Sequence, residues 1–164
     1  MIFIGIGANL PSERFGAPVD TCAAAVKALQ RISNTKVKAQ STWFESAPVP
    51  VSDQPWYING VVQIETDLNP LDLLQALHDI EADFGRVRAE RNAARILDLD
   101  LLVYDDLHLT EHSPRIPHPR LQDRAFVVLP LAEIAPDWVH PVTGEKLREM
   151  AAKLPKDQLC RPVS

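Results

Sequence analysis

Between Ile2 and Tyr104 the apolar spacing of the chain changes in an order that few folds accommodate. Ile2, Phe3, Ile4 and Ile6 form a short, nearly continuous apolar run ended by Asn9-Leu10-Pro11, the pattern of a buried strand over residues 2–8. Val19, Cys22, Val26 and Leu29 then recur three and four apart, one helical face over about Pro18 to Ser33. Val37, Ala39, Ser41 and Trp43 alternate with Lys36, Lys38, Gln40 and Thr42, the period-two signature of a strand with one wetter face. After a proline-bearing loop from Ala47 to Pro55, a third strand is predicted over Tyr57 to Thr66, with Ile58, Gly60, Val62 and Ile64 on one side. Tyr57, Asn59, Val61 and Gln63 fall on the other. Asn69-Pro70-Leu71-Asp72 supplies a capping side chain, a proline where its missing N–H costs nothing, and an acid in the positive first turn. Leu73, Leu77, Ile80 and Phe84 give that second helix its inner stripe, Gly85 closes it, and Ile96 to Tyr104 reads as a fourth strand. The order strand, helix, strand, strand, helix, strand predicts an α+β fold with a ferredoxin-like βαββαβ core and an antiparallel sheet. C-terminal additions follow: a strand over His108 to Thr110, a helical segment over Phe126 to Ile134, and a last helix over Gly144 to Lys153.

No linker-like shift in composition interrupts the 164 residues, so a single domain spanning 1–164 is expected. With 46% hydrophobic against 24% charged residues, the chain can build a core without disulfides, and its net charge of −5 argues against coating nucleic acid or an anionic membrane. Cys22 and Cys160 have no metal-type spacing and read as ordinary thiols. Without a basic start or a long apolar run, the N-terminus predicts neither a signal peptide nor a membrane span, and a cytoplasmic location follows.

Any anionic ligand of so acidic a chain must be met by locally clustered cations. Asp98 and Asp100 lie two apart in a predicted strand, so their carboxylates share a face, roughly 7 Å apart by strand rise, while Leu97, Leu99 and Leu101 fill the opposite face. Two like charges on one strand face repel, and a divalent cation relieves the conflict; carboxylates with open coordination suit magnesium. Arg86, Arg88, Arg91, Arg95, Arg115, Arg120 and Arg124 surround the pair, seven of the chain's 11 arginines and none of its six lysines. The planar fork of arginine grips phosphate oxygens in pairs, so an arginine-only stretch around an acidic pair points to a polyphosphate bridged by metal.

Other chemistries lack their motifs. No Gly-x-x-x-x-Gly-Lys-Ser/Thr loop and no Gly-x-Ser-x-Gly elbow is present. Gly5-Ile6-Gly7-Ala8-Asn9-Leu10 begins like a dinucleotide loop without its third glycine, and its glycines read as tight packing at a strand end. No histidine has zinc-ligand spacing.

The chain instead resembles the 6-hydroxymethyl-7,8-dihydropterin pyrophosphokinases over nearly its whole length. The likeness rests on Gly7-Ala8-Asn9-Leu10, Asp53-Gln54-Pro55 with Tyr57 and Asn59, Gly85-Arg86-Val87-Arg88, and Arg91 through Asp98-Leu99-Asp100-Leu101-Leu102. Pro117-His118-Pro119-Arg120, Arg124-Ala125-Phe126, Pro130-Leu131 and Glu133-Ile134-Ala135-Pro136 extend it. The resemblance implies transfer of pyrophosphate from ATP to the hydroxymethyl group of the pterin, with release of AMP, in folate biosynthesis. It implies that Asp98 and Asp100 bind two Mg2+ ions with ATP, and that Arg86 and Arg95 contact the phosphates during transfer. Tyr57 and Phe126 match the aromatic pair that sandwiches the pterin, Asn59 its hydrogen-bonding partner, and Glu81, Arg88, Arg91, His118 and Arg124 match the nucleotide site. The partners expected are these two substrates alone, with no obligate protein partner. Asn92, Ala93 and Ala94 depart from the Trp-Gly-Pro of many members, and Ser113 stands where some have arginine. Residues 85–95 are expected to form a lid, since exposed arginines with few apolar anchors repel until phosphates arrive. The alternative from another class is a ferredoxin-like ligand-sensing module without catalysis, which would not need the carboxylate pair.

Overall fold

The computed structural model describes residues 1–48, 52–85, 96–111 and 113–163. Its strands are β1 (Ile2–Ala8), β2 (Thr35–Gln40), β3 (Phe44–Ser46), β4 (Tyr57–Thr66), β5 (Asp98–Tyr104) and β6 (Cys160–Pro162); its helices are α1 (Pro18–Gln30), α2 (Pro70–Asp83), α3 (Ala125–Ile134) and α4 (Leu147–Lys153). The sheet runs β5-β1-β4-β3-β6, with β2 beside β4 as well, and every pairing is antiparallel. Its β1-α1-β2-β4-α2-β5 core is the ferredoxin-like arrangement.

The strands present different chemistry to their two faces. Ile2, Ile4, Ile6, Val62, Ile64, Leu99 and Leu101 pack with Cys22, Ala25, Val26 and Leu29 of α1 and with Leu73 and Leu77 of α2. On the other face Phe3, Val61 and Leu102 pack with Val127, Val128 and Leu131 of α3 and with Leu147 and Met150 of α4. A bulge where β5 meets Phe3 and Ile4 puts both Leu102 and Val103 in this second cluster.

Several elements differ from the sequence expectation. The alternating run 36–43 is strand only as far as Gln40, because the Ser41 side chain accepts the Val61 N–H at 3.0 Å and interrupts the ladder before β3 resumes it at Phe44. The first helix stops at Gln30, with Asn34 at φ 55 turning the chain toward β2. Residues 108–110 are not a strand: only Leu109 bridges, to Ile116. β5 begins at Asp98, α4 at Leu147, and β6, which nothing in the sequence suggested, zips onto β3. The second helix begins as its sequence predicts, Asn69 Oδ1 accepting the Asp72 N–H at 2.9 Å, and Gly85 follows it with φ 105.

Candidate active site

The site grows from one row of the sheet. Gly7 pairs with Asn59 on one side and Asp98 on the other, while Gly5 pairs with Val61 and Asp100, so two glycines on β1 separate Asn59 and Val61 of β4 from the acids of β5. A Cβ on Gly7 would come 3.1 Å from Asn59 Nδ2, and one on Gly5 would come 3.4 Å from the Leu102 side chain. The glycines therefore give the floor its close packing, Gly7 one residue from the end of β1 as the sequence suggested and Gly5 in mid-strand. Asn59 is buried and its Oδ1 accepts the Ser46 hydroxyl at 2.6 Å, which fixes the amide and leaves Nδ2 as the group next to Gly7.

Over this floor lies a cavity of about 210 Å3, walled by Tyr57, Asn59, Ser46, Phe126, Arg124 and the acids Asp98 and Asp100. A second, more open cavity of about 320 Å3 lies beside Glu81, His78, Ser113, Arg115 and His118, and it too is walled by Asp98 and Asp100. The carboxylate pair is thus a partition between two chambers, one aromatic and one lined by charged groups. Magnesium fits this pair chemically: both donors are hard oxygens on one strand face, and a Mg2+ ion bound through one or two carboxylates completes its shell with water and substrate phosphate.

Support for the partition comes from α2. β5 is an edge strand, and on its open side the Leu99 N–H, between the two acids, donates to Glu81 Oε2 at 2.9 Å. Glu81 is only 1% exposed, so the residue expected at the nucleotide site also braces the strand that carries the acids. His118 anchors the opposite wall. Its amide donates to the Leu102 carbonyl at 2.8 Å and its Nδ1 accepts the Arg120 N–H at 3.2 Å, so Nε2 carries the proton of the neutral ring. Burial first, then Arg124 and Arg120, pull its pKa down to about 4. Burial also lowers the Arg124 pKa, against the pull of Asp100, and the guanidinium lies 5.4 Å from the centre of the Phe126 ring.

The structure therefore brings together Tyr57, Asn59, Phe126, Asp98 and Asp100 around the first cavity, and Glu81, His118, Asp98 and Asp100 around the second. Arg124, expected at the nucleotide site, lines the first cavity and not the second. Arg86, Arg88, Arg91 and Arg95, with the expected lid over 85–95, lie outside the described residues beyond Gly85. Sequence reasoning missed Ser46 and Gln158 in the first cavity, and assigned no site to Arg120, which lines the first, or Arg115, which lines the second. Arg115 and Arg120 were visible in the arginine bias; Ser46 and Gln158 sit outside any periodic stretch.

A family model described as 7,8-dihydro-6-hydroxymethylpterin-pyrophosphokinase matches residues 3–136. The chain belongs to this family. A Synechocystis protein named 2-amino-4-hydroxy-6-hydroxymethyldihydropteridine pyrophosphokinase is 41% identical over 147 residues, covering 90% of this chain and 72% of its own length. The Haemophilus influenzae protein of the same name is 42% identical over 139 residues, covering 85% and 84%. A solved Plasmodium falciparum HPPK-DHPS chain with pteroate superposes with a TM-score of 0.72 at 14% identity, covering 93% of this chain and 44% of that one, a likeness of fold. Within the pyrophosphokinase family resemblance, two quoted motifs are seen to hold each other: Asn9 Nδ2 donates to Gln54 Oε1 and to the Pro55 carbonyl, both at 3.2 Å, tying the end of β1 to the loop before Tyr57. Glu133 likewise accepts the Thr42 N–H at 2.8 Å and the Thr42 hydroxyl, fastening α3 across the break between β2 and β3.

Proposed function

We infer that this protein transfers pyrophosphate from ATP to the hydroxymethyl group of 6-hydroxymethyl-7,8-dihydropterin, releasing AMP, a step of folate biosynthesis. The family match over residues 3–136 carries the reading. A sensing module is disfavoured because it has no use for an acid pair standing between two chambers.

The first cavity takes the pterin. Tyr57 and Phe126 offer aromatic faces to the flat bicycle, and Asn59 offers a fixed amide to its polar edge. The second cavity takes the nucleotide, with His118 and Glu81 on its walls, and Arg88 and Arg91 are the further nucleotide-binding residues that the family resemblance implies. The hydroxymethyl group and the β-phosphorus then meet over Asp98 and Asp100. In such a loose transition state the protein contributes alignment and cations placed on the transferring group. Asp98 and Asp100 are the residues that would hold the two Mg2+ ions, which would offset phosphate charge and favour the deprotonated hydroxyl. Arg124 adds a fixed cation on the pterin side, and Arg86 and Arg95 are the arginines that grip the phosphates during transfer. One domain supplies both chambers, no protein partner is required, and the cytoplasm is the place of action; among the described residues no helix is long and apolar enough to cross a membrane.

The test is AMP release from ATP with and without the hydroxymethyl-pterin, and with and without magnesium. AMP that appears only with both supports the reading. AMP or phosphate release independent of the pterin would identify a phosphohydrolase instead.

A further inference from the structure

Phe126 and Arg124, two walls of the first cavity, stand at the start of α3, and that start lacks an ordinary cap. The N-cap position is Arg124, which gives no side-chain hydrogen bond to the first turn, and a helix N-terminus leaves its first amides without intrahelical partners. The missing acceptor comes from 33 residues away. Gln158 Oε1 accepts the Ala125 N–H at 2.9 Å, and Gln158 Nε2 donates to the Asp123 carbonyl at 2.7 Å. One primary amide therefore bridges the carbonyl before Arg124 and the N–H after it, and holds Arg124 extended at φ −112, ψ 112.

Gln158 is itself held. Its N–H donates to the Pro155 carbonyl, the next residue's carbonyl accepts the Ala47 N–H at 3.0 Å, and β6 continues along β3 as far as Phe44. Ala47 and Ser46 line the same cavity as Phe126. The C-terminal segment thus joins two walls that no sheet register connects.

We propose that Gln158 is a positioning residue for the pterin chamber: as the cap of α3 supplied from the chain's end, it sets the stance of Phe126 and Arg124 and thereby pterin affinity. This rests on the reading of the first cavity as the pterin site. Gln158 acts through the α3 start, so its worth to the ligand depends on Phe126 being there, which distinguishes it from a residue that only stabilises the fold.

A double-mutant cycle in the full chain reads this coupling. Dihydropterin affinity is measured by fluorescence titration for the wild type, Gln158→Ala, Phe126→Ala and the double variant, with circular dichroism to establish that each is folded. The expected result is about a tenfold loss in Gln158→Ala and less than about a twofold further loss when the same change is made on Phe126→Ala. Equal losses on both backgrounds, or none in Gln158→Ala while Phe126→Ala is impaired, would overturn the positioning role. Unimpaired binding in Phe126→Ala would overturn the cavity assignment, and the proposal with it. If Gln158→Ala does not fold, Gln158→Glu carries the cycle, since it keeps an acceptor for Ala125 but sets a carboxylate against the Asp123 carbonyl.

Discussion

The two faces of the β5-β1-β4 sheet are made by the same residues read alternately, yet one is core from end to end and the other is core for only half its length. On the helix α1 and α2 side, Ile4, Ile6, Leu99 and Leu101 are each at most 4% exposed. On the other side, packing continues from Phe3 to Val61 and Leu102, then gives way to Gly5, Gly7, Asn59, Asp98 and Asp100 under an open chamber. A strand's alternation separates stability from chemistry at single-residue spacing, so neighbouring substitutions should fail in opposite ways.

The largest effect is expected at the acids. Asp98→Asn or Asp100→Asn should lower pyrophosphoryl transfer by more than about 100-fold, the upper end of what outer-shell partners of a metal alone are worth. The urea midpoint should hold or rise, because a like-charge repulsion is relieved. Near-normal turnover at ordinary magnesium in either variant would break the assignment. One residue over, Leu99→Ala should do the reverse: a loss of about 2–5 kcal/mol in unfolding free energy from the buried face, measured by denaturant titration. A Leu99→Ala protein as stable as wild type would mean that the helix-side cluster is not the anchor described.

Gly7→Ala sharpens the contrast at smaller scale. Its methyl group would press on Asn59 Nδ2 at 3.1 Å, and Asn59 cannot easily retreat while bonded to Ser46. Pterin affinity should fall about tenfold, and stability should fall by about 1 kcal/mol, since overpacking against a side chain that cannot retreat outweighs the gain from replacing glycine within a strand. Unchanged pterin binding would show that the floor tolerates a side chain.

The smallest effect concerns His118. Its pKa in the folded protein, about 4, lies below that of the unfolded chain, about 6.5, so between those values the unfolded chain binds a proton that the folded one refuses. Stability should therefore fall as pH drops from about 6.5 toward 4, and His118→Gln should flatten that part of the curve of melting temperature against pH. An unaltered slope in the variant would return the acid sensitivity to other groups.

Much of this was legible beforehand where side-chain spacing and backbone pairing coincide. Residues 2–8 and 57–66 emerge as β1 and β4 with the expected bounds, and the faces of β4, and of β5 as far as Leu102, follow from parity alone. Asp98, Asp100, Tyr57, Asn59 and Phe126, named from the family resemblance, line one cavity. What stayed hidden depends on contacts between distant segments. Ser41 breaks a strand by substituting its hydroxyl for a backbone group, a substitution invisible in an alternating pattern. β6 is three residues ending in proline, too short to show a period, and exists because β3 offers it an edge. Glu81 and Gln158 are polar residues whose partners are main-chain atoms 18 and 33 positions away, and no spacing rule reaches that far.

Because Asp98 and Asp100 wall both chambers, whatever occupies one lies against the same carboxylates as whatever occupies the other. On the proposed assignment of the chambers, a pterin tethered to an adenosine by a phosphate chain would lie across the partition, and once one end is seated the other is offered to its chamber at millimolar effective concentration, of the order expected for short flexible links. The shared wall that aligns two reactants for an instant would hold such a compound at both ends, and shortening its chain by one phosphate would reveal how wide the partition is.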